Sequence, residues 1–301
     1  MSAGADSLKS VLYALAANFG IAIGKTVAAV ITRSGSMQAE AIHSFADCAN
    51  QVLLLWGMRQ SKSPPTSDFP MGHGKAIYFW SFVVSLLLFS VGGLFSVYEG
   101  WHKLHDTEPL SRPGLALGIL GFSMVLESFS LYGALREIRK EFNGRSLWRW
   151  FRESRKAELV VIVGEDIAAL AGLALAFTFV LLTVATGNPM WDALGSIAVG
   201  VLLVLVAYFV SVEIKAMLLG QSAEAPVREG IHRSVAMHPG VEQVLEIITL
   251  HFGDAVMVAV KAKMKPQPSV DALCEVINDA ERRLKQEFPD VRWVFFEPDV
   301  R

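Results

Sequence analysis

Six apolar stretches, each long enough to cross a lipid bilayer, occupy most of the first 215 residues of the chain. A helix that spans a membrane needs roughly 20 mostly apolar residues, because the hydrocarbon core is about 30 Å thick. The stretches cover residues 11–31, 37–58, 77–98, 114–135, 159–183 and 191–212. Hydrophobic residues make up 52% of the chain and its mean hydropathy is +0.41, which is too apolar for an ordinary soluble enzyme. We therefore predict an all-α bundle of six transmembrane helices over residues 1–215.

The loops between the predicted spans differ in their content of basic residues. Lysine and arginine accumulate after the second stretch and, in greater number, between residues 136 and 156 after the fourth. The loops on the other side carry few of them. Because cytosolic loops hold the excess of positive charge and the number of spans is even, both termini are predicted to be cytosolic. We expect an integral membrane protein of a bacterial inner membrane.

The composition changes at about residue 220 to that of a small soluble domain. Charged residues occur there at ordinary density, and apolar residues alternate as in strands or recur as in amphipathic helices. The predicted elements are a helix at 226–237, strands at 244–251 and 255–264, a helix at 270–288 and a strand at 291–297. This αββαβ order predicts a cytosolic, ferredoxin-like α+β domain over residues 220–301, with its helices on one face of a sheet.

The second stretch contains polar residues that a membrane helix rarely carries. In the run AEAIHSFADCANQ, His43, Asp47 and Asn50 share one helical face, with Glu40 one turn earlier. An uncompensated aspartate at the bilayer centre costs about 2.5 to 3.5 kcal/mol, which favours a functional role. Imidazole and carboxylate groups suit zinc and similar divalent metals. The alternative is a polar seam between packed helices, in which a buried partner holds Asp47.

The fifth stretch carries two adjacent acidic residues, Glu165 and Asp166. Consecutive residues point about 100° apart on a helix, so a single direct ligand is favoured over two. The alternative is a carboxylate pair at the membrane boundary, or one neutralised by Lys25. Lys25 could instead pair with Glu127 of the fourth stretch, which would compensate two intramembrane charges together.

Several motifs together resemble the cation diffusion facilitator family of divalent-metal transporters. The most specific is HSFAD at residues 43–47, which matches the HxxxD motif in the second span of that family. The loop motif GHGK at residues 72–75 is an independent match. The segments EGWHKLH, EDIAALAG and AEAIHSFADCANQ are similar to the branch of mitochondrial zinc transporter nine. The resemblance covers essentially the whole chain.

The resemblance implies a metal-transport site between the second and fifth spans. His43, Asp47 and Asp166 stand at positions that match ligands of the family. Many members carry a second histidine four residues before the aspartate of the fifth span. That position is Ile162 in this chain, and isoleucine cannot bind a metal.

The sequence leaves two questions about metal binding open: which residue completes the transport site, and whether the loop after the second span binds a metal. Glu165 or Asn50 is expected to complete the set of ligands that Ile162 leaves short. In the loop after the second span, Asp68 and His73 match part of an accessory site of some relatives. Another ligand position of that accessory site is a phenylalanine here, so the sequence does not decide whether the loop binds metal.

The resemblance implies export of a divalent cation, first of all Zn(II), from the cytosol in exchange for protons. Mn, Fe, Co or Cd are alternative substrates, and a membrane metal sensor without transport is an alternative function. A homodimer joined through the soluble domain is likewise implied. We expect no organic cofactor and no enzymatic activity, because an intramembrane metalloenzyme would need a second histidine or an HExxH motif. The net charge of −2 argues against a nucleic-acid partner.

Overall fold

The computed structural model describes residues 3–105, 110–139 and 146–300. Its first part is helical: α1 (Ala3–Thr32), α2 (Gly35–Ser61), α3 (Ala76–Leu87), α4 (Phe95–His105), α5 (Pro113–Arg139), α6 (Leu147–Glu153), α7 (Ala157–Thr186) and α8 (Met190–Leu219). A π-helical segment, Leu88–Leu94, joins α3 and α4 into one continuous helix. Its second part consists of α9 (Ala225–Ala236), β1 (Val241–Phe252), β2 (Ala255–Met264), α10 (Val270–Glu287) and β3 (Val291–Asp299).

The long helices of the first part coincide with the predicted spans, which confirms a helical membrane region. Among the described residues, four helices are long and apolar enough to cross a membrane: Ala76–His105, Pro113–Arg136, Ala157–Thr186 and Met190–Leu219. Among the described side chains of α1, the apolar range Asn18–Thr32 is shorter. α2 is not among the four, because its polar stripe lowers its hydropathy. The count of six spans therefore stays a prediction.

Glycines allow the continuous helix formed by α3 and α4 to approach α8 closely. A methyl group at Gly93 would lie 2.7 Å from a side-chain carbon of Val204, and one at Gly200 would lie 2.7 Å from the backbone nitrogen of Val97. Both distances are shorter than van der Waals contact, so a larger residue at either position would force the backbones apart. Small residues at such crossings are the usual basis of tight helix packing in membranes.

The amino end of α2, the helix with the polar stripe, is capped by a residue distant in sequence. Asp192, in the first turn of α8, accepts hydrogen bonds from the Ser34 hydroxyl at 2.6 Å and from the Ser36 N–H at 3.2 Å. Its second carboxylate oxygen accepts a bond from the N–H of Gly35. The carboxylate thereby satisfies N–H groups that a helix leaves unpaired in its first turn, and its charge suits the positive end of the helix dipole. This contact fixes the start of α2 against α8.

The carboxyl-terminal part forms a three-stranded sheet in the order β1-β2-β3. β1 and β2 are antiparallel, whereas β2 and β3 are parallel. Inward-facing apolar residues of the strands pack against α9 and α10, and the core includes Ile231, Val258, Val260 and Leu284. The predicted αββαβ order and the α+β class of this part are confirmed.

Two earlier segments belong to the same compact unit as this sheet, namely Met58–Phe79 and Trp148–Ala157. Tyr78 is buried in this unit, where its hydroxyl accepts a hydrogen bond from the N–H of Gly253 at 3.0 Å and lies 3.2 Å from Nδ1 of His251. Burial lowers the pKa of His251, which favours the neutral ring. A neutral ring can accept a hydrogen bond from Tyr78, so these contacts tie the start of α3 to the β1–β2 turn.

Candidate metal-binding site

A small cavity of about 50 Å³ lies between α1, α2, α5 and α7. Four carboxylate side chains line it, those of Asp47, Glu127, Glu165 and Asp166. The remaining lining residues are Asn18, Ile21, Ser44, Gln51, Ser130 and Ala169. This volume is sufficient for a metal ion or a few water molecules. Carboxylates from three helices thus surround a space in which a cation can be bound.

His43 and Asp47 meet on the polar face of α2, as their spacing predicts. Nδ1 of His43 lies 3.5 Å from Oδ1 of Asp47. The His43 side chain is buried, and neither of its ring nitrogens has a hydrogen-bond partner among the described residues. Most buried polar groups in proteins are hydrogen-bonded, so an exception of this kind requires an explanation. The imidazole contacts the cavity only through Asp47 and is not one of its lining residues, but its free nitrogens are available to accept a proton or a metal ion.

Asn50 and Glu165, the two alternatives for completing the ligand set, contact each other. Nδ2 of Asn50 donates a hydrogen bond of 2.5 Å to Oε1 of Glu165, and both side chains are buried. This bond joins α2 to α7. Since Glu165 lines the cavity and Asn50 does not, Asn50 has the position of a residue that orients a ligand.

Asp166 is held from a third helix. The hydroxyl of Ser130 on α5 lies 3.4 Å from each carboxylate oxygen of Asp166. Ile162, one turn before Asp166, is 37% exposed and is not among the lining residues of the cavity. The apolar side chain at this position therefore leaves the cavity without a histidine from α7.

The carboxylates surround the cavity without converging on one point. Within the described residues, no three side chains of the His, Cys, Asp or Glu type lie close enough together to hold a metal ion. The structure thus brings together His43 with Asp47 and Asn50 with Glu165, and it places Asp166 on the same cavity. A coordination sphere would require these side chains to move toward one another.

The pairing of Lys25 with Glu127 considered from the sequence is wrong. Nζ of Lys25 lies 3.3 Å from Oε2 of Glu40 and donates a hydrogen bond of 2.8 Å to Oγ of Ser44. The reason is the short connection between α1 and α2, since the turn Arg33–Ser34 places residues on either side of it at similar depth. Glu127 is left to face the cavity.

Glu127 and Ser130 are site residues that the sequence analysis missed. The sequence does contain a pattern that indicates them: Glu127 is the acidic residue of an otherwise apolar stretch, and Ser130, three residues later, shares its helical face. The same rule extends the stripe of α2 from Ser44 through Asp47 to Gln51. Such a signal indicates a polar face, but it does not show which helix that face meets.

Within the described part of the chain, neither the loop after α2 nor the carboxyl-terminal α+β part (the tail) contains a group of side chains that could hold a metal ion. In the loop, the ring of His73 packs on Phe69 with 4.6 Å between ring centroids, and Asp68 is exposed. In the tail, Nε2 of His238 lies 3.2 Å from Oδ2 of Asp279, and its Nδ1 accepts a backbone hydrogen bond. His238 is thus held by protein hydrogen bonds, whereas Nδ1 of His73 has no such partner among the described residues.

Glu165→Gln is expected to weaken metal binding by roughly tenfold, a change of about 1.4 kcal/mol. Glutamine keeps an oxygen that can accept the hydrogen bond from Asn50, so the variant removes charge and little else. Isothermal titration of the purified protein with Zn(II) and Mn(II) measures the effect, and Glu99→Gln, outside the cavity lining, is the matched control. Unchanged affinity and selectivity would assign Glu165 to packing.

The variant Glu127→Gln tests whether Glu127 binds the cation or only stabilises the helical bundle. If Glu127 contributes to cation binding, we expect weaker metal affinity of similar size with little change in thermal stability. If it serves only to stabilise the bundle, its removal would lower the melting temperature while metal affinity stays the same. Titration and thermal unfolding of the same preparation distinguish the two outcomes.

Apolar helices around a buried cavity of carboxylates, followed by an α+β domain, are the architecture expected of a membrane protein that binds cations. The profile of the family described as the cation efflux transmembrane domain matches residues 11–219. The chain therefore belongs to the cation efflux family, which is the cation diffusion facilitator family that its motifs indicated. The relatives named below are transporters and not enzymes.

The relatives of the chain include two proton-coupled zinc antiporters named as mitochondrial. The protein of Xenopus laevis is 34% identical over 231 residues, which is 76% of this chain and 41% of the relative. The protein of Homo sapiens is 33% identical over 247 residues, 81% of this chain and 44% of the relative. The chain thus spans less than half the length of these relatives. The predicted similarity to the mitochondrial zinc branch is confirmed.

A third relative matches over nearly its whole length. The manganese efflux system protein MneS of Bacillus subtilis is 21% identical over 292 residues, which cover 95% of this chain and 94% of that protein. Relatives named for zinc and for manganese thus both align with most of this chain.

Proposed function

We propose that this protein exports a divalent cation, first of all Zn(II), from the cytosol in exchange for protons. The observation that carries the proposal is the intramembrane cavity lined by Asp47, Glu127, Glu165 and Asp166, with the buried imidazole of His43 beside it. The names of the zinc antiporters among the relatives support the same metal and the same coupling.

The candidate ligands explain why a metal and protons would compete. His43 binds a metal only through an unprotonated ring nitrogen, and the carboxylates bind it only when ionised. Every ligand is therefore also a proton acceptor. Among the candidate ligands, the imidazole is the one that becomes positively charged when it takes up a proton, so His43 is suited to exchange a proton for a metal ion.

Metal binding would also change the conformation of the site. The candidate ligands lie on α2, α5 and α7 and do not converge in this structure. A divalent cation would draw the carboxylates together, and it would therefore stabilise whichever arrangement of these helices brings them closest. A carrier needs such a link between occupancy and helix position to expose its site to alternate sides.

Mn(II) is the second candidate substrate because of the oxygen-rich lining. The fifth span supplies carboxylates and no histidine, and the fourth span adds Glu127. Oxygen ligands suit harder cations such as Mn(II), whereas imidazole suits zinc. The manganese-named relative is consistent with this alternative.

The setting of the site is part of the proposal. Residues 1–215 would form the transport domain in the membrane and residues 220–301 a cytosolic domain, with both termini in the cytosol. The orientation follows from the basic loops by the positive-inside rule, and a bacterial inner membrane is the proposed location. A homodimer joined through the carboxyl-terminal domain is proposed as the working unit.

Metal uptake into proteoliposomes tests the proposal. Zn, Mn, Fe, Co and Cd are compared as competitors of radioactive zinc, because selectivity separates the candidate substrates. A transporter accumulates metal in large excess over protein, whereas a sensor binds only a stoichiometric amount. Uptake that saturates at one or two ions per chain would reject transport.

A further inference from the structure

Lys25 forms a buried ion pair next to the candidate site. Its side chain is 1% exposed, and Nζ lies 3.3 Å from Oε2 of Glu40. Nζ also donates a hydrogen bond of 2.8 Å to Oγ of Ser44, which lines the cavity. Glu40, Ser44 and Asp47 follow one another on the same face of α2. The ammonium group thus lies between its carboxylate partner and the cavity.

One carboxylate oxygen of the pair lacks a hydrogen-bond partner within the described part of the chain. This oxygen is Oε1 of Glu40. Gly172 of α7 lets the oxygen approach the helix closely, since a methyl group there would lie 2.8 Å from it. A lysine carries its charge on a flexible four-carbon stem and has three N–H donors, two of which are used by Glu40 and Ser44. The ammonium can therefore change partners without leaving the site unpaired.

The empty cavity needs positive charge more than the occupied one. Four carboxylates line it, and an ionised group inside a membrane is costly unless a charge or a proton compensates it. A divalent cation supplies this compensation while it is bound. Lys25 is the cation of the protein that borders the cavity through Ser44.

We infer that Lys25 is a tethered cation that compensates the cavity carboxylates when the transported metal has left. With metal bound, its ammonium group pairs with Glu40; after release, it shifts past Ser44 toward the carboxylate of Asp47. The inference rests on the proposed transport function and adds a residue that acts in the return of the empty carrier. It also makes Lys25 a competitor of the metal for the same carboxylates.

The proposed role of Lys25 predicts different effects on two kinds of metal flux, net uptake and zinc-for-zinc exchange. Net uptake of metal requires the metal-free carrier to return with its protons, and this step would use Lys25 to compensate the carboxylates that stay ionised. Exchange of radioactive zinc for unlabelled zinc already inside the vesicles proceeds through the occupied carrier and would not use it. A residue that only stabilises the fold would affect both fluxes alike.

The double variant Lys25→Met/Glu40→Gln removes the tethered cation and leaves no unpaired charge. We expect zinc-for-zinc exchange to stay within about twofold of the unchanged protein, while net uptake falls about tenfold. Equal loss of both fluxes, or no loss of either, would overturn the inference. If the unchanged protein moves no metal at all, the proposed transport function fails, and that result is recorded before any variant is compared.

The single variant Glu40→Gln provides an independent test by titration. It frees Lys25 from its partner, so the ammonium should compete more strongly and weaken Zn(II) binding about tenfold, whereas the double variant should bind at least as tightly as the unchanged protein. Identical affinities in all three proteins would contradict competition by Lys25. This measurement on detergent-purified full-length protein does not depend on reconstitution.

Discussion

Replacing Asp47 or Asp166 by alanine is expected to abolish metal flux into proteoliposomes while the protein still folds. The two carboxylates line one cavity from different helices, α2 and α7, and the remaining carboxylate of α7, Glu165, already accepts a hydrogen bond from Asn50. We expect a loss of at least about a hundredfold, above the roughly 10- to 100-fold loss typical of residues that only orient ligands. Radioactive zinc uptake measures the effect, and size-exclusion chromatography checks the fold.

The control for these variants is Glu275→Ala, which removes an exposed carboxylate from α10. It should transport zinc at the rate of the unchanged protein. Normal zinc uptake by either cavity variant would show that Asp47 and Asp166 do not form one site.

His43→Asp is expected to change the preferred metal and the pH dependence of transport. The substitution retains a side chain able to bind metal but replaces a buried nitrogen ligand by oxygen. Because oxygen ligands suit harder cations, the preference for zinc over manganese should fall roughly tenfold, or about 1.4 kcal/mol. Loss of the imidazole should also change the pH profile of uptake, because the variant lacks a group that becomes positively charged on protonation.

The matched control is His232→Asp, at an exposed position of α9. Its metal preference and pH profile should equal those of the unchanged protein. If His43→Asp also leaves both unchanged, the imidazole is a packing residue of the bundle and the carboxylates alone bind the metal.

The sequence predicted the elements of this fold because each depends on a local pattern. Long apolar runs placed the membrane helices, and alternation of apolar residues placed β1, β2 and β3 in the soluble part. The 3.6-residue period placed His43 and Asp47 together on α2. In each case the information lies within one segment of the chain.

Contacts between helices could not be predicted in the same way. Lys25 meets Glu40 rather than Glu127, and Ser130 rather than a basic residue meets Asp166. A helical period shows which residues share a face, but the rotation and crossing of neighbouring helices decide what that face meets. The hydrogen bond from Asn50 to Glu165 is likewise a product of packing. The π-helical segment between α3 and α4 had no signal in the sequence that we recognised.

The most direct test of exchange records zinc entry and proton movement in the same proteoliposomes. A zinc-sensitive dye and a pH-sensitive dye inside the vesicles are followed together after zinc is added outside, with Asp47→Ala vesicles as the blank. Metal–proton antiport predicts that protons leave as zinc enters, and that an acidic interior accelerates zinc entry. Zinc entry at the same rate with and without a pH gradient, and with no proton counterflow, would contradict antiport and require a uniporter or a channel.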